Sequence, residues 1–297
     1  MHSRILFIIN WIAGQGQKHD LPKLISFSCA KAGLLPDLEF TRYGGHASEL
    51  ARQAVAEGYP RVVAVGGDGT VNEVAGSLMH TGTLLGILPT GSGNGLARHL
   101  RIPLQVEQAL GLVQTGRTLD MDALHINERF SFNVSGIGFD GLVAGMFGAN
   151  GARGLRNYAR IILREFPRFR TFQVTAEFEG QKVQDRVFIV AIANSSQFGN
   201  GAVVAPRASV CDGQADICLI RKPSWLQLPA FVFSMFTRQL DQSKLVQIFK
   251  TDSCHITMEG ARASHLDGEP GPPLAEVVVK VEPACLKVMV PGTGNRG

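Results

Sequence analysis

Three short apolar runs in the first 125 residues are each followed directly by a cluster of glycines, and this pattern restricts the fold more than any other feature. The runs are residues 4–10, 61–65 and 84–88, and a helix-like segment comes after each glycine cluster. Short β-rich runs that alternate with helical patterns are typical of a parallel sheet with crossover helices. The glycine loops would then gather at the carboxyl edge of one sheet, where α/β folds bind ligands. We therefore predict the ligand site at that edge.

From about residue 130 the pattern changes mainly to short strand-like runs. Turn signals such as Glu179-Gly180, Asp212-Gly213 and Asp267-Gly268 punctuate these runs, which favours a mostly antiparallel second domain. We expect an α/β domain over residues 1–125 and a second domain over residues 126–285, with the chain returning to the first domain from about residue 286. The predicted strands of the second part are residues 131–134, 171–178, 187–193, 215–221, 254–258, 276–282 and 286–290.

Composition supports a folded protein of two domains and limits the classes of partner. The chain has 297 residues, of which 45% are hydrophobic, and a net charge of +4. A chain of this length is expected to form roughly two domains of about 150 residues each. The charge suits anionic phosphates or an anionic membrane surface, but it is too small for a nucleic-acid-binding protein.

Cysteine usage and the apolar segments predict a cytoplasmic protein. The five cysteines are far apart and lack metal-ligand spacing, so we expect reduced thiols, with no disulfide frame or zinc site. The apolar run at residues 5–9 is short for a signal peptide and is better explained as a first buried strand. A longer stretch at residues 225–236 falls well under the roughly 20 residues needed to cross a bilayer. Any membrane contact is therefore expected to be peripheral, at the inner membrane face.

The strongest local signal is the glycine-rich loop after residues 61–65. It reads Val65-Gly66-Gly67-Asp68-Gly69-Thr70-Val71-Asn72-Glu73. Glycines lack a Cβ atom, so backbone amides can close on phosphate oxygens while the following helix offers its positive N-terminus. Thr70 and Glu73 match a capping box, which predicts the start of that helix at the loop. A tight turn alone requires fewer glycines, so we favour a phosphate site in which Asp68 acts together with Mg²⁺.

Two further loops have the size of a phosphate site. One reads Pro89-Thr90-Gly91-Ser92-Gly93-Asn94-Gly95, and the other reads Asn10-Trp11-Ile12-Ala13-Gly14-Gln15-Gly16. Either loop alone is a weak signal, because glycine-rich turns also bind dinucleotides or simply allow close packing. No Walker lysine follows any of the three loops, and the protein-kinase motifs are absent. Beside the first loop these two loops gain weight as parts of a phosphate site.

On these residues the chain resembles the diacylglycerol kinase catalytic family, specifically its soluble bacterial lipid kinases, with sphingosine and ceramide kinases as relatives. The resemblance spans nearly the whole chain and rests on five motifs in the right order. They are residues 66–72, the second glycine loop with Leu96-Ala97-Arg98, Asn133 with Gly136-Ile137-Gly138-Phe139-Asp140, Asp212-Gly213, and Leu266-Asp267-Gly268-Glu269.

The resemblance implies a fold and a set of site residues. The fold would be a Rossmann-like nucleotide-binding domain followed by an antiparallel β-sandwich, with ATP in the cleft between them. The catalytic base is similar in context to Glu269, with Asp267 beside it and Asp68 at the phosphates. A structural Mg²⁺ would use the Asp212 side chain and the backbone oxygens of Ser209 and Gln214. The family's nucleotide contacts fall on Asn10, Ala13, Gly14, Thr41, Gly66, Gly67, Asp68, Gly69, Thr70, Val71, Asn72 and Ser92.

Three positions depart from the family pattern. Trp11 stands where proline is usual, Ser92 replaces the commoner threonine, and Gly95 replaces the aspartate that usually follows Asn94. The hydroxyl at Ser92 is retained, so nucleotide binding is still expected. Gly95 removes a carboxylate from the start of the next helix.

The predicted activity is transfer of the γ-phosphoryl group of ATP to the hydroxyl of a diacylglycerol-like or sphingoid lipid, with Mg²⁺ as cofactor. An NAD kinase-like or phosphofructokinase-like enzyme is the alternative, because those families also carry a GGDGT loop. A non-catalytic lipid-binding protein on the same fold is a second alternative, against which Asp68, Asp212 and Glu269 argue. The sequence leaves the lipid, the preferred nucleotide and the oligomeric state open.

A basic stripe is the remaining candidate for a functional surface. Helical spacing separates the arginines of this stripe, which are Arg153, Arg156, Arg160 and Arg164. Two interpretations are equally supported: the stripe binds anionic lipid headgroups, or it is a solvated helix face. The apolar stretch at residues 225–236 is interpreted as core rather than as a lipid pocket. His46 and His265 are not assigned a role, because a lone histidine is more often a surface or packing residue.

Overall fold

Strands and helices alternate at the start of the computed structural model, which describes residues 3–11, 20–149 and 155–292. The strands pair in the order β2-β1-β3-β4, and every pair is parallel. The elements are β1 Ser3–Ile9, α1 Leu21–Lys31, β2 Leu34–Phe40, α2 His46–Ala56, β3 Arg61–Gly66, α3 Asp68–Leu78, β4 Leu84–Pro89, α4 Gly95–His99 and α5 Val106–Thr115.

The central strands of this sheet are apolar on both faces. Phe7 and Ile8 on β1 are fully buried, as are Val62 and Val63 on β3. Consecutive buried residues point to opposite faces of a strand, so both faces must be covered, as expected for a parallel sheet flanked by crossover helices. The α/β character predicted for this part of the chain is confirmed.

The remainder of the chain is dominated by antiparallel strands. The pairing order is β14-β13-β10-β7-β15-β16, with β8 between β15 and β9. The elements are β5 Arg117–Ile126, β6 Arg129–Ser131, β7 Val134–Gly138, α6 Phe139–Ala149, α7 Leu155–Glu165, β8 Phe172–Phe178, β9 Gln181–Val187, β10 Ile189–Ala193, β11 Gln197–Gly199, β12 Ala202–Val203, β13 Ala215–Ile220, α8 Leu228–Phe236, a 3₁₀ turn at Leu240–Gln242, β14 Val246–Thr251, β15 Ser253–Leu266 and β16 Glu269–Val290.

Two apolar cores flank the antiparallel strands. On β13, Ile217 and Leu219 belong to a core built from strands. Cys218 and Ile220 belong to a second core that includes side chains of α6, α7 and α8. Every residue of β13 is buried, because one face packs on other strands and the opposite face packs on helices.

The chain divides into two compact units, Met1–Met121 with Ala284–Gly297, and Asp122–Pro283. The end of β16 belongs to the first unit, where Val288 pairs in parallel with Leu85 of β4. None of the described helices is long and apolar enough to cross a membrane.

Candidate active site

The loop after β3 is shaped by contacts that only glycine allows. A Cβ atom on Gly66 would overlap the Thr70 side chain. Gly67 has an extended backbone and precedes the first residue of α3, Asp68. The first N–H groups of an α-helix have no partner inside the helix, so this turn presents amides and the positive end of the helix dipole. The predicted phosphate loop therefore has the geometry of an anion site.

The loop after β4 packs directly against the first loop. Backbone N–H groups of Thr90 and Gly91 donate to Gly66 O over 2.9 and 3.2 Å. A Cβ atom on Gly91 would overlap the Cα of Gly67. Asn94 closes the second loop, because its side chain accepts from Gly91 N–H over 3.1 Å and donates to Gly91 O over 2.8 Å. The two glycine loops thus form one backbone surface at the carboxyl edge of the parallel sheet.

Residues that follow β1 and β2 reach the same edge. The Asn10 side-chain amide donates to Thr70 Oγ1 over 3.0 Å, and the Asn10 N–H donates to Val65 O. Thr41 N–H donates to Ile9 O over 3.0 Å. The structure therefore brings Asn10 and Thr41 together with the glycine loops, whereas Ala13 and Gly14 lie outside the described residues.

Asp68, Asn72 and Ser92 differ in their exposure. Asp68 is half-buried, and its Oδ1 accepts the Leu96 N–H at the start of α4 over a long 3.4 Å. Asn72 is half-buried and Ser92 is exposed, whereas Thr70 and Val71 are buried. A carboxylate beside unpaired helix amides is suited to a phosphate-bound divalent cation. Gly69 belongs to the first turn of α3 and adds no side chain.

The predicted capping box is wrong. Helix α3 begins at Asp68 rather than after Thr70, because extended Gly67 lets the helix start three residues earlier. The Glu73 carboxylate accepts the N–H groups of Gly45 and Ala47 over 3.0 and 3.1 Å. Glu73 therefore caps the neighbouring helix α2 and fixes it beside the site.

Two polar side chains, Thr90 of the second loop and Arg98 of α4, were not assigned a role from the sequence. Thr90 Oγ1 is buried and has no hydrogen-bond partner among the residues that the structure describes. The Arg98 guanidinium donates from Nε to Gly93 O over 3.1 Å, which fixes a positive charge next to the loop. The sequence signals that could have found them were the position of Thr90 directly after β4 and the position of Arg98 on the first turn of the next helix.

In the second unit, Asp267 and Glu269 lie on the hairpin between β15 and β16. Asp267 is 4% exposed, and its carboxylate accepts the Ser131 hydroxyl over 2.5 Å and the N–H groups of Phe132 and Asn133 over 2.8 and 3.1 Å. Glu269 is exposed, and its carboxylate accepts no hydrogen bond from a described residue. Three donors therefore hold the Asp267 oxygens, whereas the Glu269 carboxylate of the same hairpin is exposed to solvent.

His265 supports this hairpin from inside. Its Nδ1 accepts the Gly268 N–H over 3.1 Å, so the other ring nitrogen carries the proton and donates to Asp140 Oδ2 over 3.3 Å. His265 and Asp140 are both buried. These hydrogen bonds connect Asp140 of the 136–140 motif to the turn before Glu269. The spacing of the two motifs in the sequence could not reveal this link.

A cavity of about 380 Å³ lies beside the hairpin within the second unit. Its polar lining includes Ser135 and His265, and its apolar lining includes Ile126, Ile137, Leu266 and Leu274. A mostly apolar cavity with a few convergent polar groups is typical of a site for a small organic molecule.

Of the residues predicted to hold a structural Mg²⁺, Asp212 pairs with a lysine instead. Lys250 Nζ lies 2.5 Å from Asp212 Oδ2 and 3.6 Å from Asp216 Oδ2. Asp212 Oδ1 accepts the Gln214 N–H over 3.2 Å, and the Ser209 hydroxyl contacts Cys211 Sγ at 3.6 Å. An ammonium group already neutralises the carboxylate that a cation would need, so this donor set does not fit Mg²⁺ while Lys250 is in place.

Burial raises the pKa of Asp216, the second carboxylate of that cluster. Asp216 is 1% exposed, and desolvation raises the pKa of its carboxyl to about 6 although Lys250 pulls it down. Burial lowers the pKa of Lys250, but its contacts with Asp212 and Asp216 outweigh this and leave that pKa raised. Asp212, Asp216 and Lys250 therefore form a charge cluster within the second unit.

Comparison with known proteins identifies relatives over both units. Residues 4–126 match the diacylglycerol kinase catalytic domain, and residues 133–290 match the YegS C-terminal NAD kinase beta sandwich-like domain. A Chromohalobacter salexigens protein named "Probable lipid kinase YegS-like" is 27% identical over 88% of this chain and 86% of its own length. A Mycobacterium tuberculosis protein named "Diacylglycerol kinase" is 28% identical over 84% of this chain and 82% of its own.

A solved structure shares the fold. The crystal structure of a diacylglycerol kinase from Bacillus anthracis superposes with a TM-score of 0.77, at 21% identity, over 97% of either chain. At this identity the likeness shows the fold alone. It supports an α/β unit followed by a mostly antiparallel unit, in agreement with the fold class predicted from the sequence.

Proposed function

The chain belongs to the lipid kinase family that joins a diacylglycerol kinase catalytic domain to a YegS C-terminal domain, and we propose that it transfers the γ-phosphoryl group of ATP to the hydroxyl of a diacylglycerol-like or sphingoid lipid. The lipid kinase assignment follows from the family and from the names of its relatives. The donor, the acceptor and the residues that act on them are our proposal.

The observation that carries the proposal is the packed pair of glycine loops. Gly66 and Gly91 have no space for a Cβ atom, and the loops that contain them meet backbone to backbone beside the N-terminus of α3. Unpaired amides at a helix N-terminus bind phosphate oxygens. We assign the triphosphate of ATP to this surface, with Asn10, Thr41 and Ser92 as polar contacts at its rim.

Asp68 would hold Mg²⁺ against the phosphates, and the cation would neutralise their charge. Phosphoryl transfer needs little else from the protein than alignment and electrostatic stabilisation. Arg98 is held beside the loop by Gly93 O and supports the same role. Asp68→Asn should therefore lower kcat strongly while the fold is retained.

Glu269 is assigned as the general base. In the reaction the lipid oxygen forms a bond to Pγ, the bond between Pγ and the β–γ bridging oxygen breaks, and Glu269 accepts the hydroxyl proton. Its exposure and its lack of a described hydrogen-bond donor support this role. The apolar cavity lined by Ile126, Ile137 and Leu274 is suited to part of an acyl chain.

A substrate panel tests the proposal. The purified protein is incubated with ATP, Mg²⁺ and either diacylglycerol, phosphatidylglycerol, sphingosine, NAD or fructose 6-phosphate, and the products are identified by mass spectrometry. We expect one phosphoryl group on a lipid hydroxyl, and no product with Asp68→Asn. Phosphorylation of NAD or of the sugar phosphate without any lipid product would overturn the proposal in favour of a small-molecule kinase.

A further inference from the structure

Helix α8 and the turn directly before it expose apolar side chains to solvent, where a surface helix normally carries polar ones. Leu226 is 94% exposed, Phe233 67%, Phe236 58% and Trp225 56%. The opposite side of the helix is also apolar, since Phe231 is 7% exposed and its ring lies 6.3 Å from that of Phe188. A helix that is apolar all round is expected inside a core or a membrane.

No charged residue interrupts this segment. Residues 223–237 contain no Asp, Glu, Lys or Arg. Single exposed apolar side chains are common, but a contiguous group of them marks a surface that another molecule covers. We define Trp225 and Leu226 of the preceding turn, together with Val232, Phe233 and Phe236 of the helix, as the apolar face of α8.

Basic residues flank the apolar face. Between residues 160 and 170 the chain has four arginines and only one acidic residue, Glu165. Arg164 pairs with Glu165 at 2.6 Å, whereas Arg160, Arg168 and Arg170 are exposed and have no ion pair within the described part of the chain. These arginines are therefore available for negative charges outside the protein.

A direct contact joins the basic segment to the apolar face. The Trp225 ring packs edge-on against Phe166, with 5.3 Å between centroids. Phe166 follows directly after α7, and Lys222 Nζ lies 5.0 Å from its ring centre. Leu163, one helical turn earlier, is 62% exposed. Cationic and large apolar side chains thus lie side by side on one surface of the second unit.

We propose that the apolar face of α8 inserts into the acyl boundary of an anionic lipid bilayer, with Arg160, Arg168 and Arg170 bound to its headgroups. Apolar residues flanked by Lys and Arg are the pattern of helices that lie in a membrane interface, and tryptophan favours that depth. A second copy of the chain is a poorer occupant, because a two-fold contact here would bring these arginines near their own copies. The inference rests on the proposed function in one respect: an enzyme that phosphorylates a membrane lipid must reach it.

Vesicle binding in the absence of ATP tests the proposal. Cosedimentation is measured with vesicles of phosphatidylcholine alone and with vesicles that contain phosphatidylglycerol. We expect Phe233→Ser/Phe236→Ser to weaken binding to the anionic vesicles by about 10-fold or more. The matched control is Phe27→Ser on α1, which removes a phenylalanine that is 61% exposed outside this surface and should leave binding unchanged.

The arginines are tested separately. Arg160→Gln/Arg168→Gln should lower binding to anionic vesicles by roughly 5-fold per arginine and leave the weak binding to phosphatidylcholine unchanged. Equal binding of wild type, the serine variant and the glutamine variant to anionic vesicles would overturn the proposal. A wild-type dimer that dissociates in the serine variant, with vesicle binding retained, would also overturn it and assign the face to self-association.

Activity on a dispersed substrate separates this inference from the proposed function. With a short-chain diacylglycerol in detergent micelles, the serine variant should keep the kcat of the wild type, because the acceptor no longer lies in a bilayer. Loss of vesicle binding with retained micelle activity supports the docking surface. Absence of lipid phosphorylation by the wild type both in micelles and in the substrate panel would contradict the proposed function and leave the vesicle result to stand alone.

Discussion

Glu269 and Asp267 are only two residues apart, yet their surroundings suit different tasks. Asp267 holds the hairpin to residues 131–133 through three hydrogen bonds, whereas Glu269 is exposed. We expect Glu269→Gln to lower kcat by about 10² to 10⁴ without changing the ATP dissociation constant, because amides do not accept a proton at neutral pH. Glu276→Gln, an exposed change on the same strand, is the control.

Asp267→Asn should act through the fold instead. Its amide group would face donors that the carboxylate now accepts, so we expect the free energy of unfolding to fall by about 1–3 kcal/mol. Thermal unfolding and kinetics of both variants rank the two carboxylates. Near-normal kcat in Glu269→Gln, together with an inactive but fully stable Asp267→Asn protein, would move the base to Asp267.

Gly91 allows a second test at the residue scale. A Cβ atom added at Gly91 would overlap the Cα of Gly67, and overpacking of this kind costs about 1–3 kcal/mol. Gly91→Ala should push the glycine loops apart and raise the ATP dissociation constant by about 10-fold or more, as measured by calorimetry. The matched control is Gly76→Ala on α3, where nothing lies within 4 Å of the added methyl and helix propensity should add about 1 kcal/mol of stability. Unchanged ATP affinity in Gly91→Ala would show that the loop contact is not required.

At the scale of elements, β13 and β14 carry a charge cluster with a predictable pH dependence. The pKa of Asp216 is raised from 3.8 to about 6, so between these values the folded protein keeps a proton that the unfolded chain releases. The free energy of unfolding must therefore fall as the pH rises through this window, by up to about 3 kcal/mol. Asp216→Asn removes this loss. Urea denaturation should find the variant more stable than wild type at pH 7 but similar at pH 4, whereas a constant difference would exclude the raised pKa.

Lys250 on β14 is expected to prevent metal binding by the same cluster. Since its ammonium binds Asp212 and approaches Asp216, Mg²⁺ and chelators should leave the melting temperature of the nucleotide-free wild type unchanged. Lys250→Met leaves the two carboxylates without that charge and should cost about 1–2 kcal/mol, part of which Mg²⁺ should restore. Lys244→Met removes an exposed lysine and serves as the control. Strong stabilisation of the wild type by Mg²⁺ would instead support a metal at Asp212.

Over the whole molecule, the sequence was enough to predict the elements that depend on a local pattern of residues. It was not enough for features that depend on contacts between residues far apart in the chain. Strands β1, β3 and β4 were predicted to within a residue, because continuous apolar runs followed by glycines have few alternative structures. Strand β2 was missed because it is partly exposed and contains Pro36 and Asp37. Residues 131–134 were predicted as one strand but divide between β6 and β7, since Asp267 binds the intervening backbone.

The same limit applies to the candidate site and to α8. Glycine spacing was enough to predict that the loops after β3 and β4 meet at one edge of the sheet, because the requirement for a close backbone approach is local. Phosphate binding by these loops stays a prediction. The roles of Glu73 and Asp267 depend on partners 26 to 28 and 134 to 136 residues away. Residues 225–236 were interpreted as core, and the structure exposes much of their apolar surface. Hydrophobicity alone cannot distinguish a side chain that faces protein from one that faces lipid.

The end of the chain completes the first unit. Val288 pairs with Leu85, Cys285 O accepts the His80 N–H over 2.8 Å, and Lys287 pairs with Asp120 at 2.9 Å. Cys285, Leu286, Val288, Met289 and Val290 are all buried. At about 1.5–3 kcal/mol for each large apolar side chain, their loss is comparable to the total stability of a typical domain, about 5–15 kcal/mol.

Removal of residues 284–297 should therefore unfold the first unit although every glycine of its loops remains. We expect the truncated protein to lose ATP binding in calorimetry and to lose a cooperative thermal transition. The matched control removes only residues 293–297, which leaves β16 intact and should preserve both properties. A milder variant, Val288→Ala, should lower the free energy of unfolding by about 1–3 kcal/mol while ATP still binds to the folded fraction. Normal ATP affinity and melting temperature after removal of residues 284–297 would show that the final strand is dispensable, and that the sheet of the first unit is stable without it.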